Sequence, residues 1–305
     1  MITREIPAEA PARRVEWAQA LARVRRQDDA GADHRWLELD LPAPFATPRP
    51  GQFIQLLLVP PAAVLLARPM SVASVKLRDG TCTVGFLYAP VGAGTRLLAA
   101  LEPGDSVEVL GPLGHGYPLD REGVPVLIAG GRGVAPLIFA AQTLAQPTNG
   151  VAPRRSEFIF GARDAAHLVG LDEARREIEA VGGRLHLATD DGSAGTHGTV
   201  LDVLERVAPT LPGRPVIHAC GPHGMLKAVA RWALARDSEA WLAMESVMAC
   251  GTGVCRGCPL PRSDARRAAF DPARTPSLWG NREYAMCCTE GPVFEARDLD
   301  WERVE

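Results

Sequence analysis

Residues 124–136 read VPVLIAGGRGVAP, a short β-branched apolar run, a glycine-rich break, and then the start of an apolar helix from Ala135. Downstream the same alternation repeats as EFIFGA at 157–162, a charged helix LDEARREIEAVGG, RLHLATDD at 184–191, a helix near Val200 to Val207, PVIHACGP at 215–222 and a helix from Met225. Strands of five to seven residues alternating with helices predict a doubly wound α/β sheet over residues 122–238, whose ligands gather at the carboxyl ends of the strands. Three loops fall at such ends. Gly130, Gly131 and Gly133 leave room for a dinucleotide near a helix N-terminus, although their spacing departs from the regular Gly-x-Gly-x-x-Gly. The other two loops hold Asp190-Asp191 and Cys220-Gly221-Pro222. Each has a plainer reading: a tight turn, a carboxylate cap, a small buried hydrophobe.

Upstream, residues 13–121 alternate short apolar runs (HRWLELDLP, GQFIQLLLVP, SVASVKL, TCTVGFLY, SVEVLGP) with Pro and Gly punctuation, which predicts an antiparallel barrel. Val15 to Arg26 fits a strand or a helix equally. One short helix is expected after Thr95, ending at Pro103-Gly104. In Arg68-Pro69-Met70-Ser71, the proline fixes the backbone, the guanidinium can neutralise a phosphate and the serine can reach a heterocycle, while a turn with a salt bridge is the plain alternative. Gly92-Ala93-Gly94-Thr95 opens the short helix, where amides favour anions.

From residue 239 onward the composition turns to Cys, Gly, Arg and Pro. The chain has seven cysteines, five of them between Cys250 and Cys288, and this clustering points to a metal-organised module rather than disulfides. Cys250-x4-Cys255-x2-Cys258 with a distant fourth cysteine is plant-type 2Fe-2S spacing. Zinc is the alternative, but only one Cys-x2-Cys knuckle is present. Cys287 and Cys288 both stand available as the fourth ligand; in an extended segment they point to opposite faces, so one ligates and the other packs or points outward. Whole-chain properties narrow the partners. Among 305 residues, 33 basic and 36 acidic side chains give a net charge of −3, which lacks the cationic excess of a nucleic-acid binder. The charged N-terminal stretch shows no signal or lipid anchor and no apolar run is long enough for a span, so a cytoplasmic protein without membrane contact is expected.

Taken in order, RPMS, GxGT, GPLGHGY, AGGRGVAPL, TDDGSAGTHG, CGPHGML, MACGTGVCRGC and CTEGPVF resemble the ferredoxin-reductase superfamily, and within it the electron-transfer subunits of the two-subunit, NAD-linked dihydroorotate dehydrogenases. The resemblance runs from about residue 15 to the end. It implies an α+β multidomain chain: an antiparallel β-barrel FAD domain (13–121), a doubly wound NAD domain (122–238) and a small 2Fe-2S module (239–305). By the same likeness Arg68, Pro69, Met70, Ser71, Leu87, Tyr88, Ala89, Gly94 and Thr95 would hold FAD. Gly130, Gly131, Gly133, Asp190, Asp191, Cys220, Gly221 and Pro222 would receive NAD. Cys250, Cys255, Cys258 and Cys288 would ligate the cluster, Cys288 because the family's last cysteine stands just ahead of Gly-Pro-Val-Phe. No acid-base catalytic residue is implied.

The implied partner is an FMN-containing catalytic subunit that oxidises dihydroorotate, in a heterotetramer. A flavin between nicotinamide and cluster converts paired to single electrons. Two other readings stand beside this one: the same relay serving a different flavoprotein, a hydrogenase-like complex or a ferredoxin, and a redox-inactive, zinc-stabilised nucleotide-binding module. Two departures from the family pattern are visible. Arg132 replaces a small or apolar residue, and residues 259–286 form a long insertion carrying Arg262, Arg266, Arg267, Arg274 and Arg282, either a solvated insertion or a docking loop.

Overall fold

A computed structural model of the chain describes residues 17–43, 45–58, 64–146, 154–180, 182–270 and 281–304. The barrel consists of β1 (Ala18–Gly31), β2 (His34–Leu41), β3 (Phe53–Leu57), β4 (Arg68–Ser71), β5 (Ser74–Arg78), β6 (Thr81–Tyr88), the short helix α1 (Ala93–Ala99) and β7 (Ser106–Leu113). Its antiparallel order is β4-β3-β7-β1-β2-β6-β5. The two edge strands are consecutive in the chain, and Ala73 N–H donates to Gly85 O at 2.8 Å, so the sheet curls back on itself. Of the segment compatible with either period, Val15 and Glu16 lie outside the described residues, and Ala18 to Arg26 is strand: β1 pairs with both β2 and β7, and these ladders outweigh local helix preference. The short helix starts two residues ahead of Thr95, capped by Gly92, because the Thr95 hydroxyl accepts from Gly92 N–H at 3.0 Å.

The second sheet contains β8 (Val124–Gly130), β9 (Glu157–Ala162), β10 (Arg184–Thr189), β11 (Thr196–His197), β12 (Pro215–Cys220) and β13 (Glu239–Ala243), all parallel. Helices α2 (Val134–Ala145), α3 (Leu171–Ala180), α4 (Val200–Val207) and α5 (His223–Ala235) cover it. The remaining elements are β14 (Pro259–Pro261), α6 (Asp264–Ala268), β15 (Tyr284–Met286), the single turn α7 (Cys287–Glu290) and β16 (Val293–Glu295). β16 pairs antiparallel with β13, so the cysteine-bearing segment is stitched to the edge of the α/β sheet.

Helix α2 is apolar almost all round because it is wedged between the two bodies. Ile138 packs in the α/β core while Phe139 joins the barrel core, and Gln142 Oε1 accepts the Val75 N–H at 3.1 Å. A second tie runs from the barrel's exit loop: the Tyr117 hydroxyl donates to Ala219 O at 3.0 Å, and its ring meets the edge of His218 at 5.5 Å. None of the described helices is long and apolar enough to cross a membrane.

His218 lies fully enclosed on β12, with Nε2 3.3 Å from Pro118 O. Burial holds its imidazole neutral and lowers its pKa to about 4. A depressed folded-state pKa means the unfolded chain takes up the proton first, so stability present above pH 6.5 is lost as the pH falls towards 4. The span corresponds to about 3 kcal/mol. Urea unfolding at a series of pH values should show this loss in the native chain and lack it in His218→Gln, which keeps a donor toward Pro118 O but cannot titrate.

Candidate functional site

At the carboxyl edge of the α/β sheet, two loops approach so closely that glycine is required. A Cβ on Gly133 would lie 2.2 Å from Cys220 O, and one on Gly221 would lie 2.5 Å from Met225 Cε and 3.1 Å from Gly130 Cα. The Gly130–Gly133 turn and the Cys220-Gly221-Pro222 turn thus form one interlocked crevice wall at the head of α2. The Cys220 thiol is pushed up to about 12, by burial and by the nearby Glu245 carboxylate, and stays protonated at neutral pH. Asp190 and Asp191 are exposed at the end of β10. Asp191 is committed to its own turn, accepting from Ser193 N–H at 2.9 Å and from the Ser193 hydroxyl at 2.6 Å, bonds that hold its carboxyl below the usual range. Arg132 is exposed beside this crevice.

On the barrel, the structure brings Arg68 onto Gly94. A Cβ there would fall 2.3 Å from the guanidinium, so the arginine lies flat against the first turn of α1. Pro69, Met70 and Ser71 continue along edge strand β4, with Ser71 exposed. Leu87 and Tyr88 turn into the two cores on either side of β6, and the Tyr88 hydroxyl accepts from Gln27 Nε2 at 3.0 Å, while Ala89 is half-buried at the strand's end. An exposed serine and a guanidinium over helix amides suit the phosphates and rim of a dinucleotide.

The cysteine loop turns on Gly251 and Gly253, both with positive φ (73° and 88°), which only glycine adopts without strain. This geometry aims backbone amides at sulfur: Thr252 and Cys255 N–H at Cys250 Sγ (3.4 and 3.5 Å), and Gly257 N–H at Cys255 Sγ (3.4 Å). Cys288 N–H points at Cys258 Sγ at 3.4 Å, and the two sulfurs approach to 3.3 Å. Burial raises the Cys250 thiol, but the two amides outweigh it and bring it down to about 6. Cys258 is lowered to about 7 because Cys288 donates to it, and Cys288 is correspondingly raised, so the pair shares one proton. Among the described residues no group of three or more metal-ligating side chains stands preformed around a single ion. The donor set nevertheless fits an iron-sulfur centre: four thiols, two of them readily ionised, with amide donors directed at sulfur.

The choice between adjacent cysteines is decided by a helical turn, not by an extended strand. In α7 consecutive side chains diverge by a third of a turn, so Cys288 faces Cys258 while the Cys287 thiol points to Met244 O at 3.6 Å and packs in the core, where burial raises its pKa. Holding that turn in place is an ion pair absent from the motif reading: Arg262 to Glu290, 12% and 10% exposed, with Glu290 also accepting Met286 N–H at 2.9 Å. In the arginine-rich insertion, Arg262 is thus a structural residue. Arg266 pairs with Asp298 and Arg267 with Asp264, while the exposed Arg282 donates to Arg267 O; Arg274 lies outside the described residues. The Arg–Glu pair had no signature in sequence, since its partners are 28 residues apart. Arg262→Met should leave Glu290 buried without a counter-charge, lowering unfolding free energy by about 3 kcal/mol. Denaturant titration of the native chain and variant checks this.

Comparison with known proteins places these sites in context. Residues 127–231 match the model of the oxidoreductase NAD-binding domain family. The dihydroorotate dehydrogenase B (NAD(+)) electron transfer subunit of Geobacillus kaustophilus is 35% identical over 254 residues, 82% of this chain and 86% of the relative. That of Listeria monocytogenes serotype 4a is 35% identical over 255 residues, 82% of this chain and 87% of the relative. A solved NADH-dependent reduced ferredoxin-NADP oxidoreductase, studied for flavin-based electron bifurcation, superposes with a TM-score of 0.74 at 25% identity, covering 93% of this chain and 91% of that one. At 35% identity over 82% of its length, the chain belongs to the family of dihydroorotate dehydrogenase B (NAD(+)) electron transfer subunits.

Proposed function

We propose that this chain relays electrons from the FMN of a catalytic subunit that oxidises dihydroorotate to orotate, through a 2Fe-2S cluster and FAD, to NAD⁺. The observation that carries the proposal is the packing of the three candidate sites into one body. The cysteine loop lies on β3 and β7 of the barrel, with Gly251 against Gln55 and Leu113. β3 pairs on its other side with β4, which bears Arg68 to Ser71, and the segment after α7 completes the α/β sheet as β16.

Bound in these sites, a flavin would supply exchange between hydride and single-electron chemistry and a 2Fe-2S cluster would supply single-electron storage. Arg68 neutralises phosphate, Gly94 gives the guanidinium its place, Thr95 fixes the helix start, and Pro69, Met70, Ser71, Leu87, Tyr88 and Ala89 frame the remaining flavin wall. The crevice of Gly130, Gly131, Gly133, Cys220, Gly221 and Pro222, with Asp190 and Asp191 at its rim, receives the nicotinamide nucleotide. Cys250, Cys255, Cys258 and Cys288 ligate iron. The division of labour follows residues 13–121, 122–238 and 239–305, with β13 and β16 of the last segment lent to the α/β sheet. The compartment proposed is the cytoplasm, and the assembly a heterotetramer with the FMN-containing subunit.

Anaerobically purified chain should show flavin and iron-sulfur absorption, and a paramagnetic signal after dithionite; a colourless, zinc-containing protein overturns the relay. Coexpression with the FMN-containing subunit should give dihydroorotate-dependent NAD⁺ reduction, and its absence, with cofactors present, would point to a different partner. Cys288→Ser should lose most of its iron while Cys287→Ser retains it, read by iron and sulfide content. Gly94→Ala should displace the flexible Arg68 head and lower the flavin-to-protein ratio, with stability changed by no more than about 1 kcal/mol because the guanidinium can swing aside.

A further inference from the structure

β3 alternates inward and outward residues, and its outward face is the anomaly. Ile54 and Leu56 fill the barrel core, while Phe53 packs in the core shared with the cysteine-bearing segment. Between them Gln55 is only 1% exposed, yet both its side-chain nitrogen and its oxygen lack a hydrogen-bond partner among the described residues. Such a group is costly unless something satisfies it. Its neighbour in sequence shows the contrast. Gln52 Nε2 donates to Gly114 O at 2.8 Å and its Oε1 accepts Arg49 N–H at 2.8 Å. Of the described glutamines, Gln55 alone has both terminal atoms buried and unpartnered.

The carboxamide is aimed at the cysteine loop. A Cβ on Gly251 would lie 2.7 Å from Gln55 Nε2 and 2.9 Å from its Cγ, so the residue following Cys250 must be glycine for the loop to rest on this amide. Across the ladder Gln55 is paired with Pro69 of the Arg68–Ser71 strand. One side chain therefore joins the floor of the cysteine loop to the strand proposed to hold flavin.

We infer that Gln55 is a positioning residue whose Nε2–H donates to a sulfur held on the inner side of the Cys250–Cys258 loop, fixing the loop against the barrel and stabilising the added electron. This inference rests on the proposed presence of a 2Fe-2S cluster. Its physical basis is that donors to cluster sulfur raise the reduction potential, by favouring the more negative reduced form.

The test uses native full-length chain with glutamine labelled by ¹⁵N at the side-chain amide, reduced anaerobically with dithionite. Absence of any paramagnetic signal would defeat the cluster assignment itself. Given a signal, pulsed electron paramagnetic resonance should detect coupling to a glutamine amide nitrogen, and a cluster without that coupling overturns the role of Gln55. In Gln55→Met, which keeps length and apolar bulk, the coupling should vanish and the cluster midpoint should move to more negative potential while the flavin midpoint stays in place. An unchanged cluster midpoint in a folded, iron-loaded variant would also overturn it. Should Gln55→Met fail to accumulate, the labelled native chain decides the matter alone.

Discussion

The outer face of β3 and β7 is covered by protein rather than by water, and the rest of the arrangement depends on that contact. A barrel strand facing solvent on one side would alternate, but Phe53, Gln55 and Leu113 are buried beneath the chain's last fifth. That burial supplies apolar area to a segment with too little regular structure to make a core of its own. It also sets the distance between the cysteine loop and the Arg68–Ser71 strand, which are separated by the width of β3. The segment is held from its other end by β16, which ends the α/β sheet, and by His115 N–H donating to Gly291 O at 2.6 Å.

Within that frame, the cysteine loop works by backbone direction. Left-handed glycines turn amides inward, so Cys250 is stabilised as a thiolate by backbone N–H groups. The fourth cysteine is set differently, through a buried ion pair at the base of its helical turn. Arg262 belongs to the insertion, and its use there turns what looked like a peripheral arginine cluster into a support for Cys288. In the α/β half, direction matters less than clearance: Gly133 and Gly221 let two loops touch and so form one wall at the head of α2.

Most of the architecture was legible because it depends on local pattern. VPVLIAGGRGVAP and the strand-helix alternation after it correspond to β8, β9, β10 and β12, and four of the barrel runs to β2, β3, β6 and β7, whereas SVASVKL breaks after Ser71 into the end of β4 and most of β5, at opposite edges of the sheet, and β11 and β13 were not read. Val15 to Arg26 was ambiguous since its apolar positions fit both periods, and only pairing with β2 and β7 makes Ala18 to Arg26 strand. The side-by-side cysteines were undecided by spacing because spacing does not specify whether the segment is extended or helical. The helical turn sends one sulfur to Cys258 and the other into the core.

By itself the sequence determined the strand-helix alternation of the α/β sheet, the glycines at its loops and the Cys250-x4-Cys255-x2-Cys258 spacing, since periodicity, turn chemistry and residue spacing are properties of neighbouring residues. Tertiary structure alone decided that Cys288 faces Cys258, that Arg262 neutralises Glu290, and that Gln55 is sealed under Gly251. Each of those is a contact between residues far apart in the chain, and such contacts exist only once burial has brought separate elements together; no local pattern encodes them.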